Sequence, residues 1–492
     1  MPKGRQPPRH DGTVALRTSD ARSAGKGAVT LAVLQSAGRI FALAFVMTAT
    51  RAVAPSAFGR YSTAAAILVI VGFVSDLGTT AAMTKLVSTG GDADALVANS
   101  LCACLGLGLF AWMVGEAAVL VAYRGAMVLD FAILGASLPI DACLSTLVGA
   151  LDGAGAISRR AVVSFARIGL GALAAAALVA TTASIRWAMA GLVIGPAVGL
   201  VLAVYHAKAL GVWSGHLSLD PRKGKGLLIA AAPFAMIGGV SVLSARIDVV
   251  TVSLVSSRAT TAAYDVAIRV LEGPLFISTV LAGPMLFLFS RRLRGRDTHG
   301  VQRAFDQVAD VLLVLGVLLS VLLVTLAGPL VRVAFGDGYA KSTDILAIVG
   351  AQLWLMLLCG LQGTVMAAMP RMRKVVTTVG LVALTQVLLQ VTLIVVAGPV
   401  GGALSYSFQS VATAIAYGAF IRQEVGVRTV KLPQVRCVMA AASAALIALA
   451  LRTFPVGVPA LAAATTYLVC IVGLRVVTVQ QLSGLREILR RD

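Results

Sequence analysis

The run Val311-Leu312-Leu313-Val314-Leu315-Gly316-Val317-Leu318-Leu319-Ser320-Val321-Leu322-Leu323-Val324-Thr325-Leu326-Ala327-Gly328-Pro329-Leu330-Val331 holds no charged side chain. A membrane helix needs roughly 20 apolar residues to cross the hydrocarbon core, so this stretch alone is long enough to span a bilayer. The rest of the chain repeats the pattern. Of 492 residues, 58% are apolar and 13% are charged, with a mean hydropathy of +0.92. A soluble domain is typically about 45–50% apolar and about 25% charged. The composition excludes a soluble enzyme, a disordered protein and a secreted disulfide scaffold.

Working outward from residue 311, apolar segments fall at about 29–51, 62–84, 96–122, 127–151, 161–182 and 186–206, then after a basic linker at 227–252, 264–290, 306–333, 344–369, 375–397, 400–421, 436–452 and 456–474. The expected fold is an all-α polytopic membrane protein of about 14 transmembrane helices. Two pseudo-symmetric six-helix lobes are followed by two C-terminal helices. The expected organisation is a disordered basic tail over 1–27, an N-lobe over 28–207, a linker over 208–226, a C-lobe over 227–422, spans 13 and 14 within 423–475, and a tail over 476–492.

Charge tests this parse. Lys and Arg total 41 against 21 Asp and Glu, a net charge of +20. In a soluble chain that excess would suggest nucleic acid; in a membrane protein it gathers in cytoplasmic loops. With the N-terminus placed inside, 29 basic residues lie on the cytoplasmic side, 8 lie outside and 4 lie within spans. The bias predicts an even number of spans, two cytoplasmic termini and a bacterial-type inner membrane location, with no nucleic-acid partner. The clusters Arg291–Arg296 and Arg371–Lys374 read as topological anchors, with anionic lipid headgroups as the lesser reading. The first segment carries Arg39 at its centre and is too long for a signal-peptide core, so it reads as a retained span.

The six cysteines form no spaced framework and read as small packing residues, and the four histidines lie outside the spans. No His/Cys cluster suggests a metal, and no phosphate loop of the GxxxxGK[ST] type is present. The chain is expected to be a non-enzyme without a cofactor. The outer loops are short; the longest, near Gly336–Asp344, is about ten residues, too small for a catalytic domain.

A charge at bilayer depth costs at least about 2.5–3.5 kcal/mol on insertion scales, so each one requires a reason. Arg39 lies about 11 residues, roughly 16 Å, into its span, near the midplane. Either a carboxylate on a neighbouring helix or an anionic substrate would explain it. Asp265, Arg269 and Glu272 are spaced i, i+4, i+7 and share one helix face, either as a self-satisfied polar stripe or as a site where Arg269 binds and the acids tune it. Arg246 and Asp248 lie two apart and point in different directions. Arg167 reads as a snorkelling residue. Arg39, Arg246 and Arg269 are the candidate substrate-binding cations. Asp76, Asp141, Asp248, Asp265 and Glu272 are candidate acids for coupling to H⁺ or Na⁺ or for structure. Glu116 and Asp130 sit nearer the outer end and receive no role. Pro139, Pro196, Pro233, Pro274 and Pro284 fall within spans and favour kinks.

A weak internal repeat relates Phe58-Gly59-Arg60-Tyr61-Ser62-Thr63-Ala64 to Thr261-Ala262-Ala263-Tyr264-Asp265-Val266-Ala267. The Tyr residues are about one six-helix unit apart, which implies two lobes of the same orientation with a cleft between them. Transporters bind substrate where such repeats meet, although chance similarity between alanine-rich helices gives the same pattern.

Pro55-Ser56-Ala57-Phe58-Gly59-Arg60-Tyr61, then Ser75-Asp76-Leu77-Gly78 and Lys85, resemble the opening of the polysaccharide transporter (Wzx-type flippase) family. That family belongs to the multidrug/oligosaccharidyl-lipid/polysaccharide (MOP) exporter superfamily. Pro233, Asp248 and Tyr264 in the second half, and Phe335-Gly336 with Tyr339 and Ser342, also resemble it. The resemblance runs along the whole chain in short, degenerate motifs. It implies alternating access and movement of a polyprenyl-diphosphate-linked oligosaccharide from the inner to the outer leaflet. Membrane lipids and polysaccharide polymerases or glycosyltransferases would be its partners. The arginines would suit the diphosphate, because guanidinium forms forked hydrogen bonds to phosphate oxygens. The rivals are an ion-coupled multidrug antiporter of the same superfamily, which normally has 12 spans, and a membrane glycosyltransferase, which needs acids and a sizeable outer loop. A major-facilitator transporter is a third; its signature is missing from Lys85–Ala95.

Overall fold

The computed structural model describes residues 18–90, 92–216 and 242–429, with isolated positions at 231, 235, 239, 462, 465 and 466. The described residues are helical with no strand. Span 13, all but three residues of span 14, the C-terminal tail, Pro233 and most of the 208–226 linker lie outside them. In chain order the helices are α1 (Thr18–Ala52), α2 (Pro55–Asp76), α3 (Thr79–Ser88), α4 (Ala93–Ala122), α5 (Ala126–Gly135), α6 (Ser137–Gly153), α7 (Ile157–Phe165), α8 (Gly171–Thr182) and α9 (Ile185–Ala209). After the linker come α10 (residues 242–255), α11 (Arg258–Arg294), α12 (Thr298–Phe335), α13 (Ser342–Gly350), α14 (Leu353–Ala367) and α15 (Met372–Val425).

Nine helical stretches among the described residues are long and apolar enough to cross a membrane, and the bent pair α13–α14 makes a tenth. Several expected spans are assembled from broken helices. One span is α2 plus α3, interrupted where Leu77 and Gly78 take left-handed φ of 40° and 76°. Another is α5 plus α6. A third is α7 joined to α8 through a π-helical turn at Ala166–Leu170. Helices α13 and α14 meet at 51°. The α5–α6 break at Ala136 is where Pro139 acts, since its ring and missing N–H oppose a bond to the Gly135 carbonyl, whereas Pro196, Pro274 and Pro284 lie inside helices away from these breaks. Proline also stands at the start of α2, where Pro55 follows extended Ala54 and no backbone donor is lost.

Helix α15 has 54 residues, about 81 Å at 1.5 Å per residue, against a hydrocarbon core of about 30 Å. It is two spans. Gly398 has φ 61° and ψ −145°, a conformation essentially confined to glycine, and Pro399 follows. Gln386 donates to Thr413 (2.7 Å), Gln409 donates to the carbonyl of Gln386 (3.1 Å), and Lys374 bridges to Glu424 (2.5 Å). The partners are spaced about equally to either side of Gly398, so the chain turns back there as an antiparallel hairpin. This is the boundary expected between residues 397 and 400. At the other end of the chain α1 begins at Thr18, so residues 18–27 extend the first helix where a disordered tail was expected. An Ala- and Arg-containing run carries enough helix propensity to continue upward from a span.

The apolar core divides in an informative way. One buried cluster draws on both halves of the chain, including Phe45, Phe58 and Phe131 with Tyr264, Phe335 and Leu346. A second, around Met83, Leu147 and Trp213, is built from α3, α4, α6, α7 and α9 with Ala231. A third, around Phe289, Phe305 and Ile421, is built from α11, α12, α14 and α15. The halves therefore share one core at the end that carries residues 51–58, 123–126, 256–258 and 335–342. At the opposite end they hold separate cores. The basic residues gather at the separated end.

Candidate functional site

The shared end is sealed by small and aromatic residues. The Arg51 guanidinium donates to the Val333 carbonyl. The Phe58 and Tyr339 rings meet edge to face with centroids 6.2 Å apart. Tyr123 and Ser253 share a hydroxyl–hydroxyl hydrogen bond of 2.5 Å. At Gly59 the α2 backbone passes so close to α11 that a Cβ there would lie 1.8 Å from the carbonyl oxygen of Arg258. The two halves of the internal repeat, on α2 and α11, thus pack directly against each other.

Below this seal, α11 presents a continuous stripe: Asp265, Arg269, Glu272 and Phe276, at i, i+4, i+7 and i+11. Each is one turn from the next on the same face. Asp265 is 1% exposed; its Oδ2 accepts from Arg269 Nε at 2.7 Å, and its Oδ1 lies 3.8 Å from Arg246 Nη1. Arg246, on α10, also donates from Nη2 to Glu272 Oε1 at 2.6 Å. The expected stripe is therefore real and internally paired, and it recruits Arg246. Asp248 faces away: its Oδ2 accepts from Tyr264 at 3.0 Å and from Tyr406 at 2.8 Å, inside the C-terminal bundle. Its Oδ1 is buried and has no hydrogen-bond partner among the described residues.

The N-terminal half reaches this stripe through one ring and one cation. The Arg269 guanidinium lies 5.6 Å from the Tyr61 ring on α2. The Arg39 guanidinium, on α1, lies 4.5 Å from the Phe276 ring on α11. Each half lends an aromatic face to an arginine of the other, in the range of cation–π attraction. Arg39, Arg246 and Arg269 lie 9 to 13 residues from the sealed ends of their helices, a depth of about 14–20 Å. They stand at the base of the split between the separate cores. Arg39 has no carboxylate partner among the described residues.

The remaining acids are placed otherwise. Asp76 Oδ1 accepts from Thr79 Oγ1, Thr80 N and Thr80 Oγ1 at 3.1, 3.1 and 2.7 Å, and so caps α3 at the broken span. Asp141 pairs with Arg167 Nε at 2.8 Å. Arg167 was expected to snorkel; it sits in the π-helical turn and is held by a carboxylate on α6. Neither acid touches the α11 stripe. Sequence reasoning passed over Asp130, which is fully buried and bridges Arg60 (2.6 Å) and Arg186 (2.8 Å), tying α5 to α2 and α9. Tyr61 and Phe276 were also passed over as site residues. Phe276 was recoverable, since it continues the spacing of the stripe by one turn. Tyr406 carries no such signal, because the hairpin at Gly398 is what brings it to Asp248.

No family model and no curated protein matches the chain. Solved structures do match in fold. Lipid II flippase MurJ in an inward closed conformation superposes with a TM-score of 0.75 at 13% identity, covering 91% of this chain and 99% of that one. An inward-facing multidrug resistance MATE family transporter of the MOP superfamily gives 0.64 at 12% identity, covering 81% and 98%. A MOP superfamily transporter from Pyrococcus furiosus gives 0.57 at 15% identity, covering 82% and 96%. The chain has the fold of MOP superfamily transporters.

Proposed function

We propose that this protein is a flippase that moves a polyprenyl-diphosphate-linked oligosaccharide from the inner to the outer leaflet by alternating access, for cell-surface polysaccharide assembly. The observation that carries the reading is the position of Arg39, Arg246 and Arg269. All three stand at mid-depth where the bundle is closed toward one end and split toward the other. A diphosphate entering from the split end would meet three guanidinium groups, the side chain best matched to phosphate oxygens. The crowding of basic residues at the split end supports a cytoplasmic assignment for that end, with both termini inside and a bacterial-type inner membrane as parts of the proposal. Sealing one end while the other stays open is what a rocking bundle needs.

Polysaccharide polymerases and glycosyltransferases would supply and consume the cargo. Lipid II is a second cargo, favoured by the 0.75 TM-score over 91% of the chain. Coupling would come from a H⁺ or Na⁺ gradient or from the membrane potential, with Asp248 as the acid best placed to respond. The test is mass spectrometry of lipid-linked sugars after depletion, with leaflet sidedness read by an impermeant lectin. Accumulation of one polyprenyl-diphosphate glycan on the inner leaflet supports the reading and names the cargo. An unchanged pool, with new sensitivity to cationic dyes, would replace it with a multidrug antiporter.

A further inference from the structure

The two carboxylates of the α11 stripe are held very differently. Asp265 is 1% exposed and engages both Arg246 and Arg269. Glu272 is 48% exposed and, among the described residues, bonds to Arg246 alone. Glu272 also lies one turn before Phe276, the ring on which Arg39 of the opposite half rests. The open side of Glu272 therefore faces the cleft between the halves. A long carboxylate half exposed to the cleft and held by one contact is more easily displaced than the buried Asp265.

We propose that Glu272 is a displaceable counter-ion: it occupies Arg246 in the empty cleft and yields that guanidinium to the anionic headgroup of the cargo. This rests on the reading of the arginines as an anion site. Asp265 would stay in place and keep Arg246 and Arg269 aimed, while Glu272 swings aside. On the outward side Glu272 would retake Arg246 and help to expel the cargo. Glu272 is thus a positioning residue for binding and release.

The test uses the full chain in nanodiscs and a polyprenyl diphosphate as probe, with the neutral polyprenol of equal length as control. In E272Q the side chain keeps its size and loses its charge. Diphosphate affinity is expected to rise about fivefold, the equivalent of about 1 kcal/mol. E272A should show the same gain, and R246A should abolish it. In transport assays E272Q should lower the half-saturating concentration and the maximal rate together. Unchanged or weaker diphosphate binding by E272Q and E272A, with the wild type still preferring diphosphate over polyprenol, overturns the counter-ion and leaves the flippase reading standing. No preference for the diphosphate in any variant overturns both.

Discussion

The Arg39 guanidinium on α1 rests 4.5 Å from the centroid of the Phe276 ring on α11. A cation of the first span is thereby fixed against the helix that carries Asp265, Arg269 and Glu272. An aromatic face attracts a cation without neutralising it, so Arg39 keeps its charge available to an incoming anion. Arg39→Ala is expected to abolish export while the protein still inserts and accumulates normally. Arg39→Lys should recover only a minor part, because an ammonium lacks the planar fork. The check is the inner-leaflet lipid-linked pool, normalised to protein in the membrane. Full export by a normally inserted Arg39→Ala variant would remove Arg39 from the site.

Gly59 reports on the sealed end. A Cβ there would stand 1.8 Å from the Arg258 carbonyl oxygen, and that atom belongs to backbone and cannot swing aside. Gly59→Val should therefore push α2 and α11 apart at the sealed end and favour the opposite state. Tyr123 and Ser253 provide the readout, since their hydroxyls are 2.5 Å apart across the seal. Cysteines at both positions are expected to cross-link readily with Gly59 present and poorly with Gly59→Val. Equal cross-linking in the two backgrounds would show that the seal tolerates the extra volume.

The fold was legible because two physical signals act over long windows. Uninterrupted apolarity, as at 311–331, is imposed by the bilayer, and the bias of basic residues to one side is imposed by insertion. The α11 stripe was legible because helix periodicity alone puts Asp265, Arg269 and Glu272 on one face. What escaped the sequence is what tertiary contact decides. The reason Arg246 joins this stripe while Asp248, two residues on, joins Tyr264 and Tyr406 lies in how α10 packs between α11 and the hairpin. The breaks at Leu77-Gly78 and in the π-turn at 166–170 likewise answer to neighbouring helices and caps such as Asp76, whereas the α5–α6 break coincides with Pro139, a signal local to the sequence. Asp130 looked peripheral because its partners, Arg60 and Arg186, are 70 and 56 residues away.

That brace makes its own prediction. Asp130 has no exposed side-chain area, and its two oxygens each accept from a different arginine. Removing a buried partner leaves uncompensated charge, which typically costs about 3–5 kcal/mol; Arg60 and Arg186 are partly exposed, which places the expected loss near the lower bound. Asp130→Ala should lower the melting temperature in detergent more than Arg186→Ala does. The Arg186 change leaves one ion pair intact, while the Asp130 change breaks both. A smaller loss for Asp130→Ala than for Arg186→Ala would show that the carboxylate is dispensable.

Asp248 offers the sharpest test of cooperation between spans. Its Oδ2 accepts from Tyr264 on α11 and from Tyr406 on the second arm of α15, and its Oδ1 has no hydrogen-bond partner among the described residues. Hydrogen bonds to a charged group contribute about 1.5–3 kcal/mol each. Tyr264→Phe or Tyr406→Phe alone leaves one donor on the carboxylate, so each single change should cost within that range. The double change leaves a buried carboxylate with neither hydroxyl, so its cost should exceed the sum of the singles, the signature of groups that share one partner. Asp248→Asn in the same double background should recover part of the loss, because it removes the charge that the hydroxyls no longer serve. Thermal unfolding of the four variants in detergent measures this directly. Strict additivity of the two tyrosine changes would mean that the two hydroxyls serve Asp248 independently.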